Sequence, residues 1–158
     1  MPFRGGSPYQ VCHFETLPPR RSFLESIAKT VARARAQEGV DPVKPMRLGV
    51  VGCGEVSASY IESSRAHPDQ LEVVACADMN RAMAERLAER CGVPRVLDPA
   101  ALMADPDVDI VVNLTPAGVH AAVTLEAIGC GKHVYTEKPL ASNLADADRI
   151  VAAAREAG

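Results

Sequence analysis

The chain has 158 residues, 47% of them hydrophobic and 23% charged, which is enough for one globular domain with its own core. A net charge of −3, no Trp and only 4% aromatics exclude a basic, base-stacking nucleic-acid surface. No apolar run approaches the roughly 20 residues needed to span a bilayer. The five cysteines, 12, 53, 76, 91 and 130, are scattered. They form neither a disulfide framework nor a Cys-x-x-Cys metal site, so no metal is expected, and they point to a reducing, cytoplasmic setting.

Residues 1–45 read as an N-terminal extension. Positions 1–21 are rich in Pro, Arg and Gly without periodicity, a composition that predicts disorder. Ser22 and Glu25 form a capping-box pattern, and Phe23, Ile27, Val31 and Ala34 follow at helical spacing. A helix over 22–38 is expected, then a stiff linker, Asp41-Pro42-Val43-Lys44-Pro45. Arg20-Arg21 resembles a twin-arginine export signal. Lys29, Arg33, Arg35 and Glu38 interrupt the apolar stretch such a signal needs, so export is the minor alternative.

From Met46 on, short apolar runs alternate with helical patterns. Strands are expected at 48–51, 71–77, 95–97, 108–114 and 133–136. Helices are expected after the first strand through Ile61, then at 80–91, from Asp98-Pro99 through Met103, at 117–129, and at 142–157. Pro99 suits a first helical turn, Gly129 or Gly131 a helix end, and Ser142 or Asn143 a cap. Near-continuous apolar strands separated by helices predict a doubly wound α/β domain with a parallel sheet over 46–158.

The stretch VVGCGEVSASY joins the first strand to the first helix. Gly52 and Gly54 match the first two positions of G-x-G-x-x-G, and Ser57 takes the third. The first glycine permits a tight turn and the second lets a pyrophosphate approach the backbone. Glu55 and Val56 open the helix, whose free N–H groups favour an anion. Asp78 ends the second strand about 20 residues beyond Ser57, where a carboxylate accepts both hydroxyls of an adenosine ribose. The same acid favours NAD over NADP, although Arg81 on the next turn is either a phosphate ligand or a solvated helix charge.

Two further strand ends belong to the same sheet edge. The fourth carries Asn113, Thr115, Pro116 and His120. The fifth, in HVYTEKPLASN, stops at Glu137-Lys138-Pro139. Thr115 and Pro116 can shape a turn against the nicotinamide half. His120 is either part of that wall or a polar residue of the helix's first turns. Lys138 can hydrogen-bond a ribose or substrate oxygen and can move a proton, and its bond to Pro139 can be cis.

Gly52-Cys53-Gly54, Cys76-Ala77-Asp78, Thr115-Pro116 with His120, and Glu137-Lys138-Pro139-Leu140 resemble the Gfo/Idh/MocA oxidoreductases, over about residues 46–158. The resemblance implies a Rossmann domain for NAD(P) and a role for Lys138 toward cofactor and substrate. It implies hydride transfer at a sugar or polyol carbinol carbon. Ala117 stands where the family often has Asn. Family members continue into a second α/β domain that supplies most substrate contacts and often the oligomer interface. This sequence stops before that domain and before a sixth strand. An exposed fifth strand with marginal stability or self-association is therefore expected. The alternatives are a non-catalytic nucleotide-binding module and an inactive fragment.

Overall fold

The computed structural model describes residues 44–158. The expected helix at 22–38, the disorder of 1–21 and the twin-arginine stretch lie outside the described residues. Five strands form one parallel sheet in the order β3-β2-β1-β4-β5. They are β1 (Met46–Val51), β2 (Leu71–Ala77), β3 (Val96–Leu97), β4 (Ile110–Asn113) and β5 (His133–Thr136). The helices are α1 (Ser57–Ser64), α2 (Arg81–Cys91), α3 (Pro99–Ala104), α4 (His120–Gly129) and α5 (Leu144–Ala157). This is the doubly wound α/β arrangement that the alternating pattern predicts.

The central strands β1, β2 and β4 are largely buried on both faces because they are mostly apolar. Alternation in β1 shows this directly. Leu48 and Val50 face a core with Ile61 of α1 and Ala84, Leu87 and Cys91 of α2. Val51 faces the opposite core, with Leu102 and Met103 of α3 and Ala127 of α4. Gly49 serves that second face by being small: a Cβ there would lie 2.8 Å from the Leu102 Cδ2. The helix α5 packs along α4.

Element ends follow local chemistry. Asn80 precedes α2, and Gly92, at φ +58°, ends it in the left-handed conformation that glycine adopts at least cost. Of the two glycines considered for the end of α4, Gly131 takes that conformation, at φ +71°. Asn143 caps α5 by accepting the Asp146 N–H at 2.9 Å. The helix expected over 117–129 is divided: Ala117–Val119 form a 3₁₀ turn, and α4 begins at His120. The expected fourth strand is trimmed to Ile110–Asn113.

The topology places the site. The chain leaves β1 toward β2 and β3, then crosses back to β4 on the other side of β1. The switch point therefore lies between β1 and β4, at the strand ends that carry the glycine turn and Thr115.

Candidate dinucleotide site

Gly52 follows β1 with φ +94°. Its N–H donates to the Ala77 carbonyl at 2.9 Å. A Cβ here would lie 2.6 Å from both the Leu114 carbonyl carbon and the Thr115 nitrogen. Glycine is thus required twice, for the turn and for the close approach of β4. Gly54 differs: nothing lies within 4 Å of the place its Cβ would take. That space opens where a ligand would approach. Among the described residues, the N–H groups of Gly54, Glu55 and Val56 donate to nothing. Ser57, at the third motif position, is fully buried and donates its hydroxyl to the Gly52 carbonyl at 2.8 Å. The departure from glycine fastens the turn to the helix.

Asp78 sits one residue past β2, half buried. Its Oδ2 accepts the Cys53 N–H and its Oδ1 the Asn80 N–H, both at 2.8 Å. The carboxylate is held at the edge of the glycine turn. Arg81 points elsewhere. It pairs with Glu85 at 2.9 Å, four residues on, and approaches Asp98 at 3.9 Å. Of its two sequence readings, the exposed helix charge is the one the geometry favours. Cys53, inside the motif, is buried. A hydrogen bond with Cys76, together with burial, pushes its thiol pKa up, and its side chain packs in the core beside α1 and α2.

The ends of β4 and β5 are built from side-chain polar groups. Asn113 is fully buried. Its Nδ2 donates to the His120 carbonyl at 3.0 Å and to Thr124 Oγ1 at 3.1 Å. Its Oδ1 accepts the Thr115 hydroxyl at 2.6 Å and the Thr115 N–H at 3.3 Å. Thr124 and Thr136 hydroxyls meet at 2.6 Å, and the Glu137 N–H donates to the Asn113 carbonyl at 3.0 Å. Pro116 precedes the 3₁₀ turn with φ −61°. The Ala117 carbonyl accepts the Ser142 hydroxyl at 3.0 Å.

His120 departs from its expected place as a cofactor contact. It is 2% exposed, with Nδ1 2.7 Å from the Pro139 carbonyl and Nε2 2.6 Å from the Thr115 carbonyl. Both ring nitrogens are therefore spent on the protein. Glu137 is also tied internally. Its Oε1 accepts the Lys138 N–H at 2.9 Å, and the Tyr60 hydroxyl lies within hydrogen-bond reach of its carboxylate and of Tyr135. Burial and these two neighbours push the Tyr60 pKa up, so its proton is held for donation. Lys138 is exposed, and its ammonium meets no partner among the described residues. The Lys138–Pro139 bond is cis.

The structure thus gathers Gly52, Gly54, Glu55, Val56, Asp78, Thr115, Pro116 and Lys138 at one sheet edge. It turns Arg81 outward and puts His120 beneath the surface. Sequence reading did not single out Tyr60, Tyr135, Thr124 or Thr136, whose spacing carries no motif, and it considered Ser142 only as a helix cap. It also passed over Arg86 and Arg90, which line a cavity of about 510 Å³ beside Gly54 and Glu55.

A family model described as an oxidoreductase family with an NAD-binding Rossmann fold matches residues 46–158. The chain belongs to the Gfo/Idh/MocA oxidoreductase family. Among its relatives is a dTDP-3,4-didehydro-2,6-dideoxy-α-D-glucose 3-reductase of Saccharopolyspora spinosa, 38% identical over 71% of this chain and 34% of that protein. A myo-inositol 2-dehydrogenase of Thermotoga maritima is 32% identical, with the same two shares, 71% and 34%. Two solved structures superpose on the domain. The 3-ketoreductase KijD10 of Actinomadura kijaniata, a Y186F mutant in complex with TDP-benzene and NADP, gives a TM-score of 0.68 at 37% identity. The match covers 72% of this chain and 35% of that one. The WlbA dehydrogenase of Bordetella pertussis, in complex with NADH and UDP-GlcNAcA, gives 0.69 at 32% identity over 73% and 35%. The chain spans about a third of the length of the curated relatives it matches. Its residues 46–158 correspond to the family's NAD-binding Rossmann domain. No helix among the described residues is long and apolar enough to cross a membrane.

Proposed function

We propose that residues 46–158 form an autonomous domain that binds NAD(H) across the C-terminal ends of β1, β2, β4 and β5. In this reading Asp78 receives the adenosine ribose, and the free amides of Gly54, Glu55 and Val56 receive the pyrophosphate. Thr115, Pro116 and Lys138 face the nicotinamide half. The observation that carries it is the pairing at the glycine turn: the Asp78 carboxylate fixed on the Cys53 N–H at 2.8 Å, beside amides that donate to nothing among the described residues. NAD is preferred to NADP because that carboxylate would repel a 2′-phosphate, while Arg81 is engaged by Glu85.

Bound nicotinamide supplies a hydride acceptor or donor. Lys138 supplies an ammonium beside it that meets no partner among the described residues, able to hydrogen-bond a carbinol or carbonyl oxygen and to give or take its proton. We place the whole protein's reaction at a sugar or polyol carbon, completed by a substrate domain of the kind the family carries. The unpaired cysteines 53, 76, 91 and 130 support a reducing, cytoplasmic setting. The outer edge of β5, paired to no described strand, supports a homo-oligomer.

Calorimetric titration of the purified chain with NADH and NADPH tests the reading. NADH should bind, and NADPH about tenfold or more weakly, which corresponds to about 1.4 kcal/mol of discrimination. A folded chain that binds neither nucleotide would overturn the proposal.

A further inference from the structure

Two loops form the nicotinamide side of the site, and they belong to different strands. One follows β4 and carries Thr115 and Pro116; the other follows β5 and carries Lys138. The last shared link along the sheet is the Glu137 N–H on the Asn113 carbonyl at 3.0 Å. Beyond it, both loops leave the ladder. Two side chains span the gap: the exposed Ser142 hydroxyl donates to the Ala117 carbonyl at 3.0 Å, and the buried His120 touches the Thr115 carbonyl with Nε2 and the Pro139 carbonyl with Nδ1, at 2.6 and 2.7 Å.

The chemistry of that contact is specific. Both partners are carbonyl oxygens, which only accept. An imidazole carries two nitrogens on opposite sides of a rigid ring. A neutral ring donates to one of the two carbonyls and a doubly protonated ring to both. The ring makes both contacts from a buried position, with 2% of the residue exposed. Pro139 is the neighbour of Lys138, whose ammonium meets no described partner and so depends on its backbone for its position. The other tie on that backbone is the Lys138 N–H on Glu137 Oε1.

We infer that His120 is a positioning residue: by bridging the Thr115 and Pro139 carbonyls it makes the β4 and β5 loops move as one body, and so fixes Lys138 against the nicotinamide wall. The inference rests on the nucleotide-binding reading for its purpose, but not for its geometry. His120 does not touch the cofactor itself. Its influence passes through the two carbonyls.

The test uses the full chain with two substitutions. His120→Phe keeps a flat ring without donors. His120→Asn keeps an amide near the place of Nδ1 and loses the reach to Thr115. Hydrogen exchange of the free chain is read at 115–119, 137–142 and, as control, 52–56. His120→Phe should raise exchange at both loops by about tenfold and leave the glycine turn unchanged. His120→Asn should preserve protection at 137–142 and lose it at 115–119. NADH titration then closes a cycle with Lys138→Ala. His120→Phe should weaken NADH about tenfold alone, but less than about twofold once Lys138 is already Ala.

In His120→Phe, exchange that rises at one loop only, or equally at the glycine turn, would overturn the inference and leave His120 as a packing residue. Full additivity with Lys138→Ala would overturn it as well. If His120→Phe does not fold, the split pattern of His120→Asn decides. If the unsubstituted chain binds no NADH, the nucleotide reading fails, and the exchange pattern still decides the bridging role.

Discussion

The two halves of the site are held by opposite means. At the end of β1 the backbone holds it: a left-handed glycine, one carboxylate on one N–H, and a serine hydroxyl on a carbonyl. At the ends of β4 and β5 a buried side-chain network holds it, through Asn113, Thr124, Thr136 and His120. The first kind of site leaves amides free and depends on what is missing, namely a Cβ. The second kind spends most of its polar groups internally and offers the Lys138 ammonium, which meets no partner among the described residues. In the proposed function the first half receives an anion and the second presents a cation.

The largest break should come at the turn. Gly52→Ala forces a Cβ to 2.6 Å from the backbone of β4, at a φ that L-residues rarely adopt. A loss of about 3 kcal/mol or more is expected, read as a shift in the denaturation midpoint. A loss under about 0.5 kcal/mol would mean that the two strand ends separate cheaply, and the contrast between the halves would weaken. Next is Asn113→Ala, which leaves Thr115, Thr124 and the His120 carbonyl without their partner. About 2–3 kcal/mol should be lost, because buried polar groups left unmatched carry their full desolvation cost. Asn113→Asp should be no better, since it replaces a donor with an acceptor facing two oxygens.

The two halves were also unequally legible. Gly52, Gly54 and Asp78 stand at spacings set by the covalent geometry of one turn and one strand pair, so the sequence carries them. Lys138 was visible because Glu137-Lys138-Pro139 interrupts an apolar run. Its supports were not. Thr124 and Thr136 lie on different elements and meet only after β4 and β5 pair; nothing in their local sequence distinguishes them from ordinary helix and strand threonines. His120 was seen, but its burial was not, because a histidine at a helix start is usually solvated. Arg81 looked able to reach a phosphate only while Glu85, one turn further on, was left out of the reading. Gly49 was read as part of an apolar strand, although it is the small residue that admits Leu102.

A third, smaller effect tests whether stability and site can be separated. At the other end of the sheet Arg47 donates to both oxygens of Asp109, at 2.8 and 3.0 Å, and its Nη1 pairs with Asp107. Burial raises the Asp109 pKa, but the hydrogen bonds from Arg47 outweigh it, and the net shift is downward. A depressed carboxylate stabilises the fold above its unfolded pKa, and that stability is lost as pH falls through the folded value. Asp109→Asn should therefore cost about 1–2 kcal/mol near neutrality. The difference from the unsubstituted chain should shrink from about pH 4 downward. NADH affinity should not change, because this tie lies beyond the opposite strand ends. A weakened affinity would show that the site senses the whole sheet, and that its two halves are not held locally.

The smallest expected effect on stability is the most informative about function. Gly54 has no positive φ, and its Cβ would meet nothing within 4 Å. Gly54→Ala should leave the denaturation midpoint within about 0.5 kcal/mol of the unsubstituted chain. A methyl group there obstructs no described residue but would obstruct a ligand, so NADH affinity should fall about tenfold or more. Paired with Gly52→Ala, the result separates the two glycines of one motif by physical cause, one needed to fold the turn and one needed to leave it open. If Gly54→Ala binds NADH as well as the parent chain does, the pyrophosphate does not pass over this turn. The assignment of the Gly54, Glu55 and Val56 amides would then be withdrawn, whatever the stability data say.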